Sequence, residues 1–547
     1  MTRTMRRPIA AVLGAGALAA AAFAATGSAS PPDPAHLTNV PAANAKAPGV
    51  ASPNLLSPEL AEVAVAQGSV KLENGTAAVP YYGYLGNGPH VPTFPSWSEA
   101  SKTEPDKNTY LVLDGVKGAD PSYDYGTHFL YQGHEAGTPG VLTRINLDAD
   151  AAHRVTLLAT KDSSGADLPN IDGSTWDPWA RRLLVTAEGS QGGGVWQATL
   201  DVPATVDSLT GVIGQGGYEG IQNDSDGNLW IVEDAGGAAG APSTHAKQPN
   251  SFVFRFKPTD KRDLTRGGRL QALQVQSLRT GQPIEFHAGQ AEADITSGDT
   301  RDLHTYGHTF RTRWVTVHDT ATDGTTPFSA NAAAKARHAT PFKRPENGVF
   351  QPGSDFERFL FTETGDTNSL TEAGADLGGF GGIQVLKQAS PSADTGRLQL
   401  LYQGDVVHTG LDNLTFLSRT RLAAVEDGGD ALHAQRNALD SGYVLDTRAD
   451  YSSGAKPVRF LAEGRDPSAT IDAALAGSPG FGNDGDNEIT GIHASDGDPG
   501  QRGLLGAKVP ELFGSGDGDR GQRWRLFYTA QHGDNVTWEI VPARAGR

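Results

Sequence analysis

The chain has 547 residues, a formal charge of −18, 68 glycines, 33 prolines and no cysteine. Without cysteine there can be no disulfide, thiolate metal site or thiol nucleophile. The acidity argues against a nucleic-acid partner, whose phosphates call for a basic face, and fits an exported soluble protein or one that binds cations.

In chain order, residues 1–30 have the layout of a targeting segment. Arg6-Arg7 precede an apolar run over residues 9–25, and Ala22-Phe-Ala24 and Gly27-Ser-Ala29 are small-residue cleavage sites. The Arg pair suits a twin-arginine signal, which exports folded cargo, but Pro8 follows it directly and a general secretory signal carries basic residues too. A retained membrane anchor is the alternative. No later stretch is apolar for long enough to span a bilayer. The expected location is secreted or cell-envelope, with no stable membrane association after cleavage. Residues 31–105 are expected to form an N-terminal extension packed on a main domain at 106–547, with a short helix near 57–67 and an aromatic, turn-rich cover at 80–97.

From about residue 109 strand patterns recur. The clearest is Glu219-Gly-Ile-Gln-Asn-Asp-Ser-Asp-Gly-Asn-Leu-Trp-Ile-Val-Glu233-Asp234, an acid-led hairpin with its turn at Asp224-Ser-Asp-Gly227. Asp412-Asn413-Leu-Thr-Phe-Leu-Ser-Arg-Thr-Arg-Leu-Ala-Ala-Val-Glu426-Asp427 repeats the order, with the same 14-residue spacing from leading acid to first trailing acid. Glu219 and Glu233 are therefore expected to meet at one sheet edge. Similar units fall at 127–147, 174–189, 344–365, and 487–493 with 524–534. A long insertion after the third unit holds a helical Asn331-Ala-Ala-Ala-Lys-Ala-Arg337. Radially repeated hairpins of this kind predict an all-β chain, a six-bladed β-propeller with long loop insertions; a large β-sandwich is the alternative.

In a propeller the leading acids Glu219, Glu346, Asp412 and Glu488 converge on one mouth, with the trailing acids Glu188, Glu233 and Glu426 close by. Carboxylates crowded together repel unless protonated, solvated or neutralised by cations, and oxygen-rich sites suit hard ions such as Ca²⁺. Asp224, Asp226 and Asn228 resemble the start of a calcium loop, but its twelfth position is Ala235, which favours a plain turn. His304 and His308 have metal-ligand spacing on a helix, yet Tyr306-Gly307 between them favours surface histidines. His128, His493 and His532 adjoin strand motifs, as packed strand-end residues or as supports of a site. No Gly-x-Ser-x-Gly elbow occurs; Pro479 spoils the near miss at 476–480.

Several motifs resemble the PhoX-type alkaline phosphatases, loosely over 109–535: Gly118-Ala-Asp-Pro-Ser-Tyr-Asp-Tyr-Gly-Thr-His-Phe-Leu, Arg344-Pro-Glu346, Asp412-Asn413-Leu-Thr-Phe, and the endings Glu233-Asp234 and Glu426-Asp427. The resemblance implies a six-bladed propeller, twin-arginine export, and a cluster of Ca²⁺ and Fe³⁺ ions that hydrolyses phosphomonoesters. It implies metal-ligand roles for Glu188, Glu219, Glu346 and Asp412, and a phosphate-facing Arg344; Asn413 joins the candidate ligands beside Asp412. One departure stands out. The family's Leu-Thr-Cys-Glu-Glu, with an iron-binding Cys, is matched here by Val185-Thr-Ala187-Glu188-Gly189, so the iron is in question. The expected function is an exported, monomeric, metal-dependent phosphatase acting on small phosphorylated substrates through Arg344 and Glu346. The alternatives are a calcium-dependent lactonase or phosphotriesterase, and a binding propeller in which calcium only stabilises the fold.

Overall fold

Alternate residues along the strands face two different apolar neighbours. In Arg182–Ala187, Leu183, Val185 and Ala187 join one buried cluster and Leu184 another. In Arg421–Glu426, Leu422 and Ala424 face one cluster, and Ala423 and Val425 the next. A sheet with two apolar faces has to be covered on both. Here each sheet covers its neighbours.

The computed structural model describes residues 36–41, 54–88, 100–189, 192–464, 488–512, 524–531 and 535–543. The expected signal at 1–30, the near-miss elbow at 476–480 and His532 lie outside them. The strands form five antiparallel sheets. The first holds Pro105–Val112, His128–His134, Val141–Asn146 and Val155–Ala159, and the second Ser174–Asp177, Arg182–Ala187, Gly194–Ala198 and Val206–Ser208. The third has nine strands. Tyr218–Asn223, Leu229–Glu233, Val253–Pro258 and Gly268–Val275 run outward, Phe310–Asp319 bridges, and Thr395–Gln403, Gly382–Gln388, Arg358–Glu363 and Gly348–Phe350 run back inward. The fourth is Leu411–Phe416, Arg421–Glu426, Ser441–Asp446 and Val458–Ala462, edged by Leu55–Leu56. The fifth is Glu488–Ser495, Arg525–Gln531 and Val536–Pro542, edged by Leu60–Gln67.

The arrangement is propeller-like. The inner strands touch in a closed circle: Pro105–Val112, Ser174–Asp177, Tyr218–Asn223, Gly348–Phe350, Leu411–Phe416 and Glu488–Ser495, the last returning to the first. They approach closely, and a Cβ at Gly220 would lie 2.7 Å from the Cα of Asn347. Five separate sheets stand where six blades are expected, because Phe310–Asp319 pairs with both Gly268–Val275 and Thr395–Gln403.

The helix expected near 57–67 is the strand Leu60–Gln67. The edge of the C-terminal strand Val536–Pro542 supplies it with a ladder of partners, with one bulge between Ala64 and Ala66. So short a helix would be marginal by itself. Residues assigned to an extension thereby complete the fourth and fifth sheets. The insertion helix forms at Ala330–Ala336, where the Ser329 hydroxyl accepts from the Ala332 amide. The hairpin at 219–233 also forms, and Asp224 closes its turn by accepting from the Asp226 and Asn228 amides and from Trp230 Nε1.

Candidate metal centre

An inner strand begins, and the strand paired to it ends, at the same end of the ring. At those points stand the acids. Asp106, Glu219, Asp412 and Glu488 lie at the starts of inner strands, and Asp172 and Glu346 two residues before such starts. Glu135, Glu188, Asp234 and Asp427 directly follow second strands. Glu188, Glu219, Asp234 and Glu346 each offer an oxygen, and these oxygens all lie within 4.8 Å of one another. Glu135 and Asp172 make a second such group with Glu188, which is shared between the two.

The group is charged beyond what the protein neutralises. Burial, then Asp234, Glu135 and Glu346, push the Glu188 carboxyl well up. Burial, then Glu346 and Asp172, do the same to Glu219. Burial, then Asp234, raises Glu346. Asp412 is pushed up to about 7, by burial first and then by Asp106 and Asp427. Glu488 belongs to the same mouth, raised by burial and then by Asp427, Glu135 and Asp412.

The cations set among these acids are Lys107 and Arg344. Lys107 is buried and reaches across the ring to donate to Asn347 Oδ1 at 2.6 Å. Burial pulls it down to about 8 against the pull of Asp412 and Glu219. Arg344 grips Asp234 through Nε at 2.9 Å and Nη2 at 2.6 Å, and lies 3.1 Å from Glu346 Oε1. Asn413 is buried beside the cluster; its Nδ2 donates to Asp412 at 2.7 Å, and its Oδ1 accepts from Asn347.

Glu233 and Glu426 do not join the cluster. Glu233 is paired in register with Tyr218, and Glu426 with Leu411. Each is therefore one residue off the leading acid and on the other face of its hairpin. Glu233 accepts from the Phe252 amide and Asn331 Nδ2, and Glu426 from Arg436. The second trailing acids, Asp234 and Asp427, turn to the mouth instead. His304 is not a surface residue: it is buried at the end of the helix Gly298–Leu303, 3.3 Å from Glu363. His128 pairs with Asp148 at the opposite end of its strand, and His493 lines an internal cavity below Lys107. Asp106, Glu135 and Asp172 were missed by sequence reasoning. Their signal was positional, since each sits where Glu219, Glu188 and Glu346 sit in their own sheets.

No protein-family model matches the sequence, and no curated protein does. Solved structures do match. The fold is similar to that of PhoX. PhoX of Pseudomonas fluorescens, solved with vanadate, a transition state analogue, aligns with a TM-score of 0.52 and 13% identity, over 92% of this chain and 98% of that one. At that identity the likeness to PhoX is one of fold. A gluconolactonase of Xanthomonas campestris aligns at a TM-score of 0.37 and 11% identity, over 93% of this chain and 99% of that one.

The acids present fit a hard cation. Glu219 Oε2 and Asp412 Oδ2 are buried with no hydrogen-bond partner. A buried carboxylate oxygen without a donor is costly unless a cation answers it. Every donor in both groups is a carboxylate oxygen, the ligand type of Ca²⁺ and similar ions. Ala187 has its methyl in the apolar cluster between the first and second sheets. Glu188, one residue on, faces the other acids.

Proposed function

We propose that the chain is a six-bladed propeller hydrolase that cleaves phosphate monoesters at a calcium-containing, carboxylate-bound centre, and that it acts outside the cytoplasm. The blade count follows from taking the nine-stranded sheet as two blades, each with its own inner strand in the circle, bridged at the rim by Phe310–Asp319. The observation that carries the chemistry is the cluster of Glu188, Glu219, Asp234 and Glu346 with Arg344 laid against it.

Those four acids would hold the cation, and Glu135 and Asp172 would extend the site. When bound there, it supplies Lewis-acid polarisation and charge neutralisation to the phosphoryl group. The chain's own residues do the rest. Asp234 fixes the Arg344 guanidinium through Nε and Nη2. Nη1 makes no hydrogen bond among the described residues and is the donor that Arg344 offers to a phosphoryl oxygen. Lys107 places a buried amine beneath the acids, and Asn347 and Asn413 orient Lys107 and Asp412.

The test is hydrolysis of a chromogenic phosphomonoester at alkaline pH by the mature protein, before and after chelation and with Ca²⁺ restored. Turnover that is lost to the chelator and returns with Ca²⁺ supports the reading. No turnover from demonstrably folded protein overturns it. The burial of Ala187 in the apolar core favours a second reading, a calcium-dependent lactonase with no iron, and lactone hydrolysis without phosphatase activity would establish that instead.

A further inference from the structure

The outer part of the nine-stranded sheet carries an arrangement that the mouth does not use. Arg311 is paired in register with Arg397, Arg397 with Lys387, and Lys387 with Arg358. Directly opposed residues on antiparallel strands point to the same face, so four cations stand in one row across four neighbouring strands. Like charges placed directly opposite one another destabilise a sheet. None of the four side chains has a hydrogen bond or an ion pair among the described residues. Asp394, at the edge of the row, is turned to Arg255. Burial and then Arg358 hold Lys387 below the ordinary lysine range. The protein as a whole carries a charge of −18, so this row is not a general property of its surface.

Three of the four cations lie in a concavity. Arg311, Lys387 and Arg397 line a shallow groove of about 520 Å³, with Thr395 and Gln388 between them. It runs on into a second groove of about 380 Å³, shared through Arg311, which adds Arg313, Gln274 and Gln276. Four cations at strand spacing cover about 14 Å, longer than one phosphate group. A single anion would engage two of them, whereas filling the row takes several anionic groups joined in one chain. The lining has guanidinium, ammonium, hydroxyl and amide groups and no aromatic ring, the main platform on which proteins stack nucleobases.

We propose that this groove is a binding site for a linear, base-free polyphosphate chain, laid across the strands from Lys387 through Arg397 to Arg311. The cations meet successive phosphates, while the amides of Gln274, Gln276 and Gln388 are held by the protein's own carbonyls. The site stands apart from the acidic mouth and holds whatever the mouth catalyses.

The experiment measures binding of end-labelled inorganic polyphosphate to the full chain by fluorescence anisotropy, with chelator present so that cations at the mouth do not contribute. The wild-type protein is expected to bind it with an affinity that falls steeply with salt, and inorganic phosphate is expected to compete weakly. Arg311→Gln/Arg397→Gln is expected to weaken binding about 10-fold or more and to lower the slope of log affinity against log salt by about 1.4. Its melting temperature is expected to stay the same or rise, because a repulsive pair is removed. Lys387→Gln/Arg397→Gln gives an independent second variant should the first fail to fold. Unchanged affinity in the folded variants overturns the proposal. So does wild-type binding of single-stranded DNA or heparin as tight as that of polyphosphate.

Discussion

The endings Val232-Glu233-Asp234 and Val425-Glu426-Asp427 place two acids side by side, and the two meet opposite fates. The first acid is buried against partners brought by an inserted helix. Glu233 takes Asn331 Nδ2, with Lys335 near, from Ala330–Ala336. Glu426 takes Arg436 from Gly429–Arg436 at 3.1 Å. Glu363 repeats the scheme with His304, at the end of Gly298–Leu303. The second acid turns to the mouth, where carboxylates outnumber the cations the protein supplies. The first acids anchor helices around the ring, and the second acids face the carboxylate cluster at the mouth. The same residue type serves stability or chemistry according to which face of the strand it occupies.

The comparison predicts different losses on the two sides. At the mouth, Glu346→Gln is expected to reduce phosphomonoester turnover by about 10³-fold while leaving the circular-dichroism spectrum unchanged, because it removes a ligand and not a partner in packing. Full activity in that variant would break the assignment. On the paired side, Glu426→Ala leaves Arg436 buried without its carboxylate, and is expected to cost about 3 kcal/mol in a denaturant titration with little change in Ca²⁺ response.

The paired side also has a pH signature. Burial alone would lower the His433 imidazole, but Asp440 at 2.9 Å outweighs it and raises the imidazole to about 9. A folded pKa above the unfolded one makes this contribution complete below about pH 6.5 and lost as pH rises through about 9. His433→Gln should therefore flatten a stability loss of about 2 kcal/mol across that window. Smaller again, Glu219→Gln should raise the melting temperature of chelated protein, the effect of about 1 kcal/mol of relieved repulsion, and shrink the shift produced by Ca²⁺. Ala187→Cys should do least. It should cost under about 1 kcal/mol and recruit no iron by metal analysis, since the side chain faces the apolar cluster.

Much of the site was legible one residue at a time. Glu188, Glu219, Glu346, Asp412 and Glu488 were found because an acid beginning or ending an apolar strand has no role in the hairpin itself. Asp234 and Asp427 were passed over for Glu233 and Glu426 because the register was not known: Glu233 pairs with Tyr218 and not with Glu219. The strand Leu60–Gln67 reads as a helix from local sequence because its partner, Val536–Pro542, lies at the far end of the chain.

By itself, then, the sequence determined that strands would dominate, that hairpins would repeat, and that acids would gather where those hairpins begin. These are consequences of local pattern: alternation, turn residues, and charges with no local use. The tertiary structure alone decided which acid of each pair faces the mouth, that Phe310–Asp319 would fuse two meanders into one sheet, that Lys107 would cross the ring beneath the carboxylates, and that Arg311, Arg397, Lys387 and Arg358 would fall into one row. Each of these depends on register between strands far apart in the chain, and a shift of one residue would turn every one of those side chains to the opposite face.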